Sequence, residues 1–61
     1  MKLTKKKSIE IISWAKHVKG MDSGFKDTIQ GIADTVAIVF KETELQQKTL
    51  VELSLIMEGE V

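Results

Sequence analysis

"FKETELQQKTL", residues 40–50, is a polar, helix-favouring stretch between two apolar blocks, "VAIVF" (36–40) and "LVELSLIM" (50–57). Whether it reverses the chain or carries one helix through decides the fold. It holds no Gly, Pro, Asn or Asp, the residues that ordinarily make a helix–helix turn. The apolar positions before it, Phe25, Ile29, Ile32, Val36 and Val39, step by 4, 3, 4 and 3, the heptad signature. Continued unchanged, the stepping passes through Thr43 and Gln46 and lands on Leu50, Leu53 and Met57. A loop has no reason to keep that phase. The stretch therefore reads as the polar waist of a continuous or gently kinked helix over about 23–58. The competing signal is "TELQ" (43–46), a capping-box pattern with Thr43 at N-cap and Gln46 at N3. That motif would break the helix near Glu42 and give a three-helix bundle.

Upstream, a shorter helix is expected over about 9–19. Ser8 is a good N-cap, and Glu10 in the first turn suits the positive end of the helix dipole. Ile11, Trp14, Ala15 and Val18 recur at helical spacing, with Ile12 widening the stripe. Lys16 and Lys19 occupy the last turn, and Gly20 supplies a terminator. "GMDSG" (20–24) is the clearest turn, with Asp22 and Ser23 as candidate N-caps for the second helix. Residues 1–7 read as a basic, flexible start. The expected fold is thus all-α and a single domain over 1–61, with the short helix folded back on the long one.

A helix over 23–58 would run roughly 54 Å at 1.5 Å per residue. The first helix can cover only its near half. The far half would expose Leu50, Val51, Leu53, Leu55, Ile56 and Met57, a cluster too apolar to leave in water. A long helix therefore demands a homo-oligomer, a dimer or higher, with a core of Phe25, Ile29, Ile32, Val36, Val39, Leu50, Leu53 and Met57. Thr43 and Gln46 would be its polar layers, which fix register. Chain length points the same way. At 61 residues without cysteine, disulfide staples and thiolate metal sites are excluded, and the single histidine, His17, builds no metal site either.

The net charge of zero conceals a division. Residues 1–20 hold six lysines and one glutamate, +5, whereas residues 21–61 hold three lysines and eight acids, −5. There is no arginine. A nucleic-acid binder ordinarily uses Arg for bidentate contacts and spreads its cations along one face. Nucleic-acid binding through "KLTKKK" is therefore the weaker use of a charge pattern that also fits self-complementation. The start does not follow a signal-peptide pattern, and no apolar run approaches the roughly 18 residues of a membrane span. A cytoplasmic protein with no membrane association is the expectation.

Chemistry-bearing patterns are sparse. "SWAK" (13–16) has the Ser-x-x-Lys spacing of serine acyl-transfer enzymes but none of the partner motifs. His17 sits near the end of the first helix, where a cation suits the dipole. Asp27 and Asp34 share a helical face without an accompanying nucleophile or electrophile. Gly24, Thr28, Gly31 and Thr35 form a small-residue stripe beside the apolar seam, suited to close helix packing or to a groove. The start of the second helix, Ser23, Gly24 and Lys26 with Thr28, could take an anion if Lys5, Lys6 and Lys7 of another subunit joined it. Trp14 is expected as a core or self-interface anchor, with a partner hot spot or a base-stacking platform as the alternative.

No nucleophile, base and orienting group coincide, so a non-enzyme without cofactor or metal is expected. The leading expectation is a small oligomeric helical protein that acts by occupying a protein partner, as inhibitors, antitoxins and phage or mobile-element regulators do. The alternative is an oligomer that sequesters a small anionic ligand, such as a nucleotide, between subunits.

Overall fold

The computed structural model describes residues 1–21 and 23–59. Its helices are α1 (Lys5–Met21), α2 (Phe25–Val39) and α3 (Thr43–Glu58), each packed on the other two, with no strand among the described residues. The continuous helix over 23–58 is not formed. The chain leaves α2 at Phe40, whose backbone is extended (φ −94°, ψ 137°), and re-enters helix after Glu42 (φ −80°, ψ 103°). The longest dimension is 31 Å, against the roughly 54 Å a straight 23–58 helix needs. The radius of gyration is 10.8 Å, close to the ~10.5 Å expected of a globular chain this long.

Burial decides the break. Folding α3 back puts Leu53 and Ile56 against Ile12 and Ala15 of α1 and Ile29 and Val36 of α2, all six buried. Each such aliphatic side chain contributes about 1.5–3 kcal/mol on leaving water, whereas carrying a helix through three residues is worth only tenths of a kcal/mol per residue. The link needs no special turn residue, because among the described residues none other than glycine adopts positive φ. That is why the absence of Gly, Pro, Asn and Asp misled.

"TELQ" acts differently from a capping box. Glu42, not Thr43, is the N-cap of α3, and no side chain caps there. Gln46 instead reaches back to the end of α2. Its amide nitrogen donates to the carbonyls of Val36 (3.0 Å), Ala37 (3.1 Å) and Phe40 (2.5 Å). The Val36 carbonyl also accepts from the Phe40 amide at 3.2 Å, whereas those of Ala37 and Phe40 lie at the helix end, where carbonyls lack intrahelical partners. Thr43 is exposed, so it forms no polar core layer.

α1 is longer than the expected 9–19. Thr4 caps it, its Oγ1 accepting from the Lys7 amide at 3.1 Å. Ser8, expected as the cap, lies inside the helix with a buried hydroxyl 2.6 Å from that of Thr49. Gly20 does not terminate α1, which runs on to Met21. Lys5, Lys6 and Lys7 form its first turn rather than a basic start outside it. Leu3 is buried, the Met1 carbonyl accepts from the Lys41 amide at 2.9 Å, and Lys2 lies 3.8 Å from Glu42. The amino-terminal residues thus clasp the α2–α3 link. α2 begins at Phe25 behind Gly24 with no side-chain cap, so Ser23 does not serve as one. Asp22, the other expected cap, lies outside the described residues.

Seven of the eight residues expected in an oligomer core serve this chain's own core: Ile29, Val36 and Leu53 are buried, and Phe25, Ile32, Leu50 and Met57 pack against them. Val39 is exposed. With α3 folded back, the argument that the long helix forces self-association no longer applies. The accessible surface of 4155 Å² is near the ~4000 Å² of a monomer of 6.8 kDa.

Candidate functional site

α1 and α2 leave a groove of about 490 Å³ between them on the face away from α3's core contacts. Its floor is the small-residue stripe: Thr28, Gly31 and Thr35 line it, and a Cβ placed on Gly31 would meet nothing within 4 Å. The Thr35 hydroxyl donates to the Gly31 carbonyl at 2.9 Å, which ties its polar atom back to the helix backbone. The α1 wall is Lys7, Ile11 and Trp14, and Phe40 and Met1 also line the groove. Trp14 is 52% exposed, so it is not a core anchor. The stripe was expected to allow close packing on α1 or on a second copy, or else to leave a groove. It is open.

The apolar character extends past the groove. Met21 follows Trp14 by seven residues and Ile38 follows Gly31 by seven, so each continues its helix's stripe. Both are exposed, as is Val39. Met1, Trp14, Met21, Ile38 and Val39 therefore gather most of the large exposed apolar side chains on the α1–α2 side. Singly such side chains need no explanation; their shared side of the molecule adds apolar surface beyond the two ends of the groove. The stripe 7, 14, 21 was readable in the sequence, but Trp14 was drawn into the core by assigning it the same face as Ala15.

The other candidates do not assemble. Ser23, Gly24 and Lys26 lie at the α1–α2 turn, whereas Lys5, Lys6 and Lys7 occupy the far end of α1, about 24 Å away along a 17-residue helix. Within one chain they form no anion pocket. Lys7 pairs with Glu10 at 3.2 Å. A second depression, near Leu3 and Leu45, gathers Lys2, Lys5 and Lys48 but also Glu42 and Glu44, so its charge is mixed. Ser13 and Lys16 are exposed and line a shallow depression with Glu52. His17 is exposed beside Trp14 and Glu10. Asp27 and Asp34 are exposed, and Asp34 accepts from the Gln30 amide at 3.0 Å. Among the described residues no cluster of three or more His, Cys, Asp or Glu is arranged to hold a metal ion, and no helix is long and apolar enough to cross a membrane.

No family model matches the chain, and no curated protein or solved structure matches it to a significant degree.

Proposed function

We propose that the chain is a non-enzymatic helical binding protein that acts by occupying a protein partner, with the α1–α2 groove receiving an apolar helix of that partner. The observation that carries this is Trp14, half exposed in a groove lined by Thr28, Gly31 and Thr35, with open space above Gly31. Small residues let a foreign backbone approach closely, and an aromatic at the rim is the usual anchor of such a contact. Self-association belongs to the same proposal, since a second copy presenting an apolar helical face would compete for this groove.

The experiment uses the Trp14 indole as its own reporter. Fluorescence and NMR shifts are followed while a panel of amphipathic helical peptides is titrated. Saturable perturbation centred on Trp14, Gly31 and Thr35, lost in Gly31→Leu at a melting temperature no lower than that of the wild type, supports the proposal. Perturbation elsewhere, or none across the panel, argues against it. Sedimentation over the same concentrations reports the homo-oligomer, and a persistent monomer removes that part alone. Sequestration of an anionic ligand has less support, because its lysines and the start of α2 meet only if a second subunit supplies one of them.

A further inference from the structure

We infer that residues 40–42 are a hinge through which α3 is exchanged between two copies of this chain. α3 is joined to α2 by residues 40–42, and its core side chains are buried against α1 and α2: Thr49 against Ser8, and Leu53 and Ile56 in the cluster of Ile12, Ala15, Ile29 and Val36. An α3 arriving from a second copy re-forms every one of these contacts. The partner is therefore a second copy of the chain, and its place is the cleft that the resident α3 leaves.

The link does not commit the chain to reversal. Phe40 and Glu42 are already extended, no described residue other than glycine has positive φ, and neither Gly nor Pro occurs from 40 to 42. What closes it is a set of non-covalent latches. The Gln46 amide holds the Val36, Ala37 and Phe40 carbonyls, the Lys41 amide is held by the Met1 carbonyl, and Lys2 faces Glu42. Exchange of an identical element between copies is a low-cost route to a dimer, because the core given up on opening is regained between chains, and a link of three residues leaves little length for the reversal. A chain of this size has little stability in reserve, so such openings are within reach of ordinary fluctuation. The α1 and α2 walls of the groove belong to one chain and stay together on exchange, with Phe40 and Met1 bordering both the groove and the link.

The Ser8–Thr49 pair supplies the test. Their side-chain oxygens lie 2.6 Å apart across α1 and α3, so Ser8→Cys with Thr49→Cys places two thiols where a disulfide can close. The double variant is unfolded under reduction, refolded at low and at high protein concentration, oxidised and separated without reductant. Exchange gives a covalent two-chain species whose share rises with protein concentration. Deleting Lys41 raises that share by about fivefold or more, Gln46→Ala raises it less, and a Gly-Ser insertion after Lys41 nearly removes it. Single-chain cross-links at every concentration, including in the shortened link, overturn the inference, as does a two-chain share indifferent to link length. If the cysteine variant does not fold, the wild-type chain is refolded from a mixture of unlabelled and isotope-labelled copies. Native mass spectrometry then expects mixed dimers that persist for hours on dilution. Dimers that remix within seconds, or monomers alone, overturn the inference equally.

Discussion

The hydroxyls of Ser8 and Thr49, 41 positions apart in the chain, meet at 2.6 Å in the buried seam between α1 and α3. Thr49 also bonds the Leu45 carbonyl one turn back, at 2.8 Å. A threonine hydroxyl has a single proton. With that proton on Leu45, Ser8 must be the donor of the pair. Every buried side-chain polar atom among the described residues is satisfied. Thr49→Val keeps the shape but strands the Ser8 hydroxyl, and should cost about 1–3 kcal/mol. Ser8→Ala leaves Thr49 its carbonyl partner and should cost less, about 0.5–1.5 kcal/mol. The double variant Ser8→Ala, Thr49→Val should be more stable than the sum of the singles implies. Urea unfolding of the four proteins measures this, and strict additivity would contradict the pairing.

Gln46 gives a second prediction, resting on donor chemistry. Its amide nitrogen faces three carbonyl oxygens and α2 has no other side chain at that end doing this work among the bonds described. Gln46→Ala should destabilise by about 1–2 kcal/mol. Gln46→Glu should be worse at neutral pH, since an ionised carboxylate only accepts and would confront other acceptors. Protonation restores one donor, so the deficit of Gln46→Glu relative to Gln46→Ala should shrink as pH falls. Thermal melts of both variants at neutral and acid pH check the sign, and a pH-independent difference would count against the geometry.

Much of the fold was legible because the apolar phase is. Ile12, Ala15, Ile29, Val36 and Leu53 all fall on stripes read from spacing alone, and the all-helical class followed from them. The break near Glu42 was legible only as the alternative raised by "TELQ", the three-helix bundle that the chain adopts. A continuous phase from Val39 to Leu50 is equally consistent with a straight helix and with a hairpin whose two arms both face one core. The arbiter was α1, which is long enough, from Lys5 to Met21, to cover both arms. Reading Ser8 as its cap shortened it and made the long-helix oligomer seem necessary. A serine at a helix start and a serine buried in mid-helix look alike in sequence, and only the hydroxyl of Thr49 tells them apart. Of the site, the small-residue stripe was visible, but whether a neighbour fills it depends on tertiary packing.

Leu53 and Val39 once looked equivalent on the heptad, and the folded chain separates them. Leu53 is fully buried among all three helices, whereas Val39 is 37% exposed at the end of α2. Leu53→Ala should cost about 2–5 kcal/mol through lost burial and the cavity left behind, enough to unfold much of a chain this small. Leu53→Asp should not fold. Val39→Asp should remain folded, losing within about 1 kcal/mol. Circular dichroism melts of the three proteins decide it, and equal damage at both positions would favour a packing in which Val39 is also core.

Gly31 tests the groove from the side of stability. It sits in the interior of α2, exposed, and a methyl group added there meets no atom within 4 Å. Glycine in an exposed helix interior is worse than alanine by about 1 kcal/mol, chiefly from backbone entropy. Gly31→Ala should therefore raise stability by about 0.5–1 kcal/mol, and each kcal/mol moves the midpoint of a domain this size by about 4–8 °C. The single chain gains nothing visible from keeping glycine at this position. If a partner helix or a second copy lies against the α2 floor, the same substitution should weaken that contact while it stabilises the free fold. Opposite signs in the melting temperature and in the affinity for a groove-binding peptide are the expected outcome. A rise in both would place the contact away from Gly31, and a fall in melting temperature would show that the space beside it is not open.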